Sequence, residues 1–149
     1  MKMVVLGIGN PILTDDCVGI KVAQQIKQEK PGLEVLETCE SGLSLLDHIV
    51  DCDRLVIIDS IRYPDEEPGE LFEVDYHDLK PKPDFSVTHG MDLAAAFEIG
   101  KGLGYKMPES VSIYAINVLD NTNFSEVCTV ELQKKIPLIA KEIIEKEKL

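Results

Sequence analysis

The chain has 149 residues, 44% of them hydrophobic, enough for one domain spanning 1–149 to enclose a core and too few for two domains of ordinary size. Fifteen Lys and Arg stand against 27 Asp and Glu, and the net charge of −12 repels phosphate backbones and anionic lipid, which excludes nucleic acid and membrane surfaces as expected partners. No apolar run reaches the ~20 residues that cross a bilayer, and the first residues lack the basic, apolar, small succession of a signal peptide, so a cytoplasmic protein is expected.

Lys2 to Ile8, built on Met3-Val4-Val5-Leu6, reads as a buried strand. It runs into Gly7-Ile8-Gly9-Asn10-Pro11-Ile12-Leu13-Thr14-Asp15-Asp16, where small residues let the backbone turn and two adjacent carboxylates follow. A helix is expected from near Asp15 to about Lys30, with Val18, Val22 and Ile26 four apart, and Pro31-Gly32 stops it. Leu33 to Thr38 alternates as a second strand, and Gly42 to Val50 is a short amphipathic helix. Arg54 to Ile61 contains Leu55-Val56-Ile57-Ile58, apolar on both faces, the pattern of a central strand covered on both sides.

The loop Tyr63-Pro64-Asp65-Glu66-Glu67-Pro68-Gly69 comes next. Glu70 to Tyr76 follows as an edge strand suited to antiparallel pairing, with Phe72, Val74 and Tyr76 on one face. Pro81 and Pro83 keep the chain irregular up to Thr88-His89-Gly90, and Met91 to Leu103 is helical. Val111 to Val118 is the last strand; a helix from about Ser125 closes the chain, with Pro137 expected to kink or restart it. Strands alternating with helices predict an α/β fold: a three-layer α/β/α sandwich around a mostly parallel sheet of about five strands, one edge strand antiparallel. In such sheets ligands bind at the carboxyl ends of the strands, where strand order reverses. If that order begins 2-1-3, the loops at 9–16, 38–42 and 59–63 meet.

Three residues carry the chemistry expected there. Asp16 and Asp59 offer carboxylates at strand mouths, and a carboxylate closing the apolar run 55–58 is costly to desolvate without a partner. His89 precedes Gly90 at a helix start, where the positive end of the dipole favours the neutral, metal-binding imidazole. Two carboxylates and one imidazole suit a borderline divalent ion such as zinc or nickel, with positions left open. Each also has a plainer reading: an Asp is as often a turn or helix cap, and an isolated His near a turn is more often structural. Of the acidic pair, Asp15 with Thr14 is assigned to the helix cap and Asp16 to the site. Cys17, Cys39, Cys52 and Cys128 form no Cys-x-x-Cys pair, so zinc-knuckle and dithiol motifs are absent; buried packing is expected of Cys52 and Cys128, and packing is also the favoured reading of Cys17 and Cys39, although they lie beside the loops named above.

Taken together, Gly7-x-Gly9-Asn10 with Asp15-Asp16, Val56-Ile57-Ile58-Asp59 and Thr88-His89-Gly90 resemble the hydrogenase maturation proteases over nearly the whole chain. That resemblance implies a cytoplasmic endopeptidase, metal-dependent or aspartic in type, that trims the C-terminal extension of a nickel–iron hydrogenase large-subunit precursor. It implies that Asp16, Asp59 and His89 surround a metal, with Asp16 and Asp59 the catalytic candidates. It also implies that the metal is nickel, carried by the precursor and recognised by the enzyme, with room for another divalent ion such as zinc or cadmium in vitro. Cys17 stands where many members have glycine, and Thr38-Cys39-Glu40 replaces a Gly-Gly-Thr-like loop, with Glu40 adding charge near the mouth. Three rivals are weaker. A nucleotide-binding module would use Gly7-x-Gly9 with Glu37 on a ribose, but Ile12 fills the third glycine position. A non-catalytic nickel-dependent adaptor would bind the precursor without cutting it. Serine or cysteine hydrolase chemistry lacks a Gly-x-Ser-x-Gly elbow.

Overall fold

The structure, a computed structural model, describes residues 1–39, 42–74, 90–119 and 123–149, with side chains excluded at 42–43 and 90–94. Five strands form one sheet: β1 Met3–Ile8, β2 Glu34–Thr38, β3 Arg54–Ile61, β4 Leu71–Val74 and β5 Ser110–Asn117. Their order is β2-β1-β3-β5-β4. β1 pairs in parallel with β2 and β3, and β3 with β5, while the edge strand β4 runs antiparallel to β5. Strand order therefore reverses between β1 and β3.

The apolar residues of each strand alternate between two cores. Val4, Leu6, Leu55, Ile57 and Ile113 face one layer, where helix α2 (Leu46–Ile49) and helix α3 (Gly90–Gly102) contribute Leu46, Ile49, Ala96 and Phe97. Val5, Val56, Ile58, Tyr114 and Ile116 face the other, against helix α1 (Val18–Glu29) and helix α4 (Val130–Glu147). This period-2 division of a doubly covered strand gives the predicted three layers. Helix α1 comes so close to the sheet that a Cβ at Gly19 would sit 2.4 Å from the Ile58 carbonyl oxygen and 2.6 Å from that of Ile8, so only glycine fits there.

Three boundaries depart from expectation. The segment after Thr14 is a 3₁₀ turn (Thr14–Cys17) before α1 begins, and a second 3₁₀ turn (Gly42–Leu45) precedes α2. No helix starts at Ser125. That residue bridges to Leu13: its N–H donates to the Ile12 carbonyl at 2.9 Å, its own carbonyl accepts from Thr14 at 3.0 Å, and α4 begins five residues later. Nor does Pro137 restart the helix, since α4 runs continuously through it. Pro137 is exposed, so water can satisfy the carbonyl one turn back that its missing N–H leaves open. Among the described residues no helix is long and apolar enough to cross a membrane.

Candidate functional site

β1 delivers the chain to the switch point, and Gly9 begins the turn. A Cβ there would lie 2.2 Å from the Asp16 carbonyl oxygen, so the glycine is required for the 3₁₀ turn to fold back over the strand end. The Gly9 N–H donates to the Thr38 carbonyl at 3.1 Å, joining the loops after β1 and β2. Thr14 has φ 39°, a left-handed conformation costly for a β-branched residue. It is held there by its N–H on the Ser125 carbonyl and its hydroxyl on the Asn123 carbonyl.

The two carboxylates that follow diverge. Asp15, fully buried, accepts from the Thr129 N–H at 2.7 Å, the Thr129 hydroxyl at 3.2 Å and the Leu119 N–H at 3.2 Å. Thr129 is the N-cap residue of α4, so Asp15 serves the start of the last helix rather than the start of α1. This corrects the assignment of Asp15 with Thr14 to the cap of their own helix: neither the 3₁₀ turn nor α1 has a side-chain cap, because the strained turn at Thr14 aims the Asp15 carboxylate across the fold.

Asp16, 3% exposed, turns toward β3. Its Oδ1 accepts from the Ser60 hydroxyl at 2.7 Å and its Oδ2 from the Asn10 N–H at 3.1 Å. Asp59, 2% exposed, accepts the Ser60 N–H at 2.7 Å. Ser60 therefore touches both carboxylates. Alternation along β3 sends Ser60 toward the α1 layer and Asp59 toward the α3 layer, so the two acids lie either side of one strand end. His89 lies outside the described residues; α3 begins at the next residue, Gly90. Among the described residues no three His, Cys, Asp or Glu side chains are grouped to hold a metal.

Two contributors escape a reading of the sequence. Ser60 has only its position beside Asp59 to mark it. Asn117, buried at the end of β5, accepts the Tyr63 N–H at 2.7 Å and donates to the carbonyls of Tyr63, Glu66 and Glu67 at 3.0–3.1 Å. It thereby shapes the loop leaving the Asp59 strand. A lone Asn after an apolar strand carries no signal that separates this role from a turn.

Residues 20–146 match the model of the family described as hydrogenase maturation protease. The Gly9 to Asp16 segment lies ahead of that match. The chain is 31% identical over 74 residues to the hydrogenase 2 maturation protease of Escherichia coli (strain K12), covering 48% of this chain and 45% of that protein. The matched segments span less than half the length of the curated relatives they reach. Among solved structures, the hydrogenase maturating endopeptidase HybD from E. coli superposes with TM-score 0.79 at 20% identity, over 99% of this chain and 93% of that one. The nickel–iron hydrogenase maturation protease HycI from Thermococcus kodakarensis KOD1 gives 0.71 at 25% identity, over 99% and 93%.

Proposed function

The chain belongs to the hydrogenase maturation protease family, and from that premise we propose that it is an endopeptidase that removes the C-terminal extension of a nickel–iron hydrogenase large-subunit precursor after nickel insertion. The observation that carries the reading is the pair of buried carboxylates joined through Ser60 where β1 and β3 part, at the carboxyl ends of the parallel strands. Asp16 is held there by neutral donors and makes no ion pair among the described residues, an arrangement that suits a cation arriving with a substrate. Asp16, Asp59 and His89 are the residues proposed to hold the precursor's nickel, and oxygen and imidazole donors suit that ion. Two carboxylates alone would leave the ligand set short, so His89 or groups of the precursor itself must complete it.

In the chemistry proposed, one of the two carboxylates takes a proton from water as the water oxygen attacks the scissile carbonyl carbon. The carbon–nitrogen bond then breaks, and the leaving amine takes the proton back. Ser60 and the Asn10 N–H keep the Asp16 carboxylate in one orientation throughout. Mixing the purified protein with nickel-loaded and nickel-free precursor, and following the released C-terminal peptide by mass spectrometry, tests this. Release from the loaded precursor alone is expected. Tight, nickel-dependent binding with no peptide released would replace the protease with an adaptor.

A further inference from the structure

Cys17 ends the 3₁₀ turn that carries Asp15 and Asp16, and Cys128 immediately precedes the α4 cap residue Thr129. They are 111 positions apart in the chain, yet both are buried and their sulfurs lie 3.2 Å apart. A disulfide has sulfurs ~2.05 Å apart, so joining this pair asks for an approach of about 1.2 Å and no rearrangement of topology. Two cavities reach it. Cys17 lines one of about 210 Å³ with Pro11, Ile20 and Thr38, and Cys128 lines one of about 240 Å³ with Val127, Gln133 and Ile136; Lys21 lines both. Spaces of that size hold a small oxidant beside the residues that enclose the pair.

We propose that Cys17 and Cys128 form an oxidisable dithiol, a modification site at which a small hydroperoxide converts the pair into an intramolecular disulfide. Cys17 is the attacking sulfur. The two sulfurs face each other at 3.2 Å, and the Cys17 S–H donates to the Thr14 carbonyl at 2.8 Å, which fixes its sulfur beside that of Cys128. The Cys17 thiolate attacks one peroxide oxygen: a sulfur–oxygen bond forms, the oxygen–oxygen bond breaks, and the departing oxygen takes the proton Cys17 gave up. Cys128 then attacks the Cys17 sulfur, the sulfur–sulfur bond forms, and hydroxide leaves with the Cys128 proton as water. Two thiols lose two electrons and one peroxide is reduced. The bond would tie the turn bearing the acidic pair to the head of α4 and close a long loop of chain.

Oxidation needs no peptide substrate, so failure of the processing assay would leave this site standing. The test treats the folded chain, carrying Cys39→Ser to remove the exposed thiol, with hydrogen peroxide, then alkylates under denaturing conditions. The expected product has lost the mass of two hydrogens, yields a Cys17–Cys128 linked peptide on digestion, retains an alkylatable Cys52, and melts several degrees higher until dithiothreitol reverses the change. Cys17→Ala and Cys128→Ala each abolish the mass loss. Recovery of Cys17 and Cys128 both alkylated after peroxide, a sulfinic acid at either without a crosslink, or a crosslink through Cys52 overturns the proposal. The peptide map of the parent protein decides this even if an alanine variant fails to fold.

Discussion

Two buried carboxylates, at opposite ends of β3, are treated differently. Glu147, at the end of α4, takes the Arg54 guanidinium on one oxygen at 2.8 Å and the Tyr114 hydroxyl on the other at 2.7 Å. Arg54 also binds the Glu147 carbonyl at 2.6 Å. At the other end Asp16 takes a hydroxyl and a backbone N–H, and among the described residues makes no ion pair. Burial opposes ionisation of Glu147, but its hydrogen bonds from Tyr114, Arg54 and Ser112, with the Arg54 charge, outweigh that and hold its pKa below the usual range. Tyr114 is pushed up, first by burial and then by the same carboxylate. A carboxylate given its cation by the fold is a structural joint. One held by neutral donors is the one proposed to meet a cation from elsewhere.

The sharpest way to break this contrast is to neutralise each end in turn. Asp16→Asn, Asp59→Asn and His89→Ala are each expected to cut precursor processing by at least ~10²-fold while circular dichroism stays that of the folded protein. Full processing by all three would end the proposed site. At the other end, Arg54→Met leaves a buried charge uncompensated and should cost about 3 kcal/mol in denaturant unfolding, with processing below the melting temperature nearly unchanged. Adding Glu147→Leu should restore most of that loss; if it does not, Arg54 acts through packing rather than charge. Ser60→Ala removes one donor from Asp16 and should lower kcat roughly 10-fold with only about 1 kcal/mol of stability lost.

The smallest effect is on pH. Because the Glu147 pKa is lower folded than unfolded, its contribution to stability is complete above the ordinary value of 4.5 and is lost as pH falls through the folded value. Glu147→Gln should therefore flatten part of the acid limb of a stability profile below pH 4.5. An unaltered limb would show that other carboxylates govern acid unfolding.

The sheet was legible in the sequence because its strands announce themselves: Met3 to Leu6 and Leu55 to Ile58 are apolar on both faces, and Pro31-Gly32 punctuates the first crossover. The positions of Asp16 and Asp59 at strand mouths followed from the same pattern. Their connection through Ser60 did not, since a serine hydroxyl has no periodicity to betray it. The start of α4 was misread because residues 125–129 have ordinary composition for a helix; long-range bonds to Ile12, Thr14 and Asp15 hold them out of it, and pattern reading sees only neighbours. The Asp15 role was hidden for the same reason. The expectation for His89 and the end of the predicted strand at Tyr76 fall outside the described residues.

The clamp of Asp15 on Leu119 and Thr129 has a bearing on how the protein is born. The acidic pair is synthesised more than a hundred residues before the groups that fix its turn. A nascent chain can pair β1, β2 and β3 on the ribosome, yet the turn above them waits for the last helix. Refolding followed by pulsed hydrogen exchange should then protect the β1 and β3 amides before those of residues 14–16, so that the molecule acquires its architecture first and its competence afterwards.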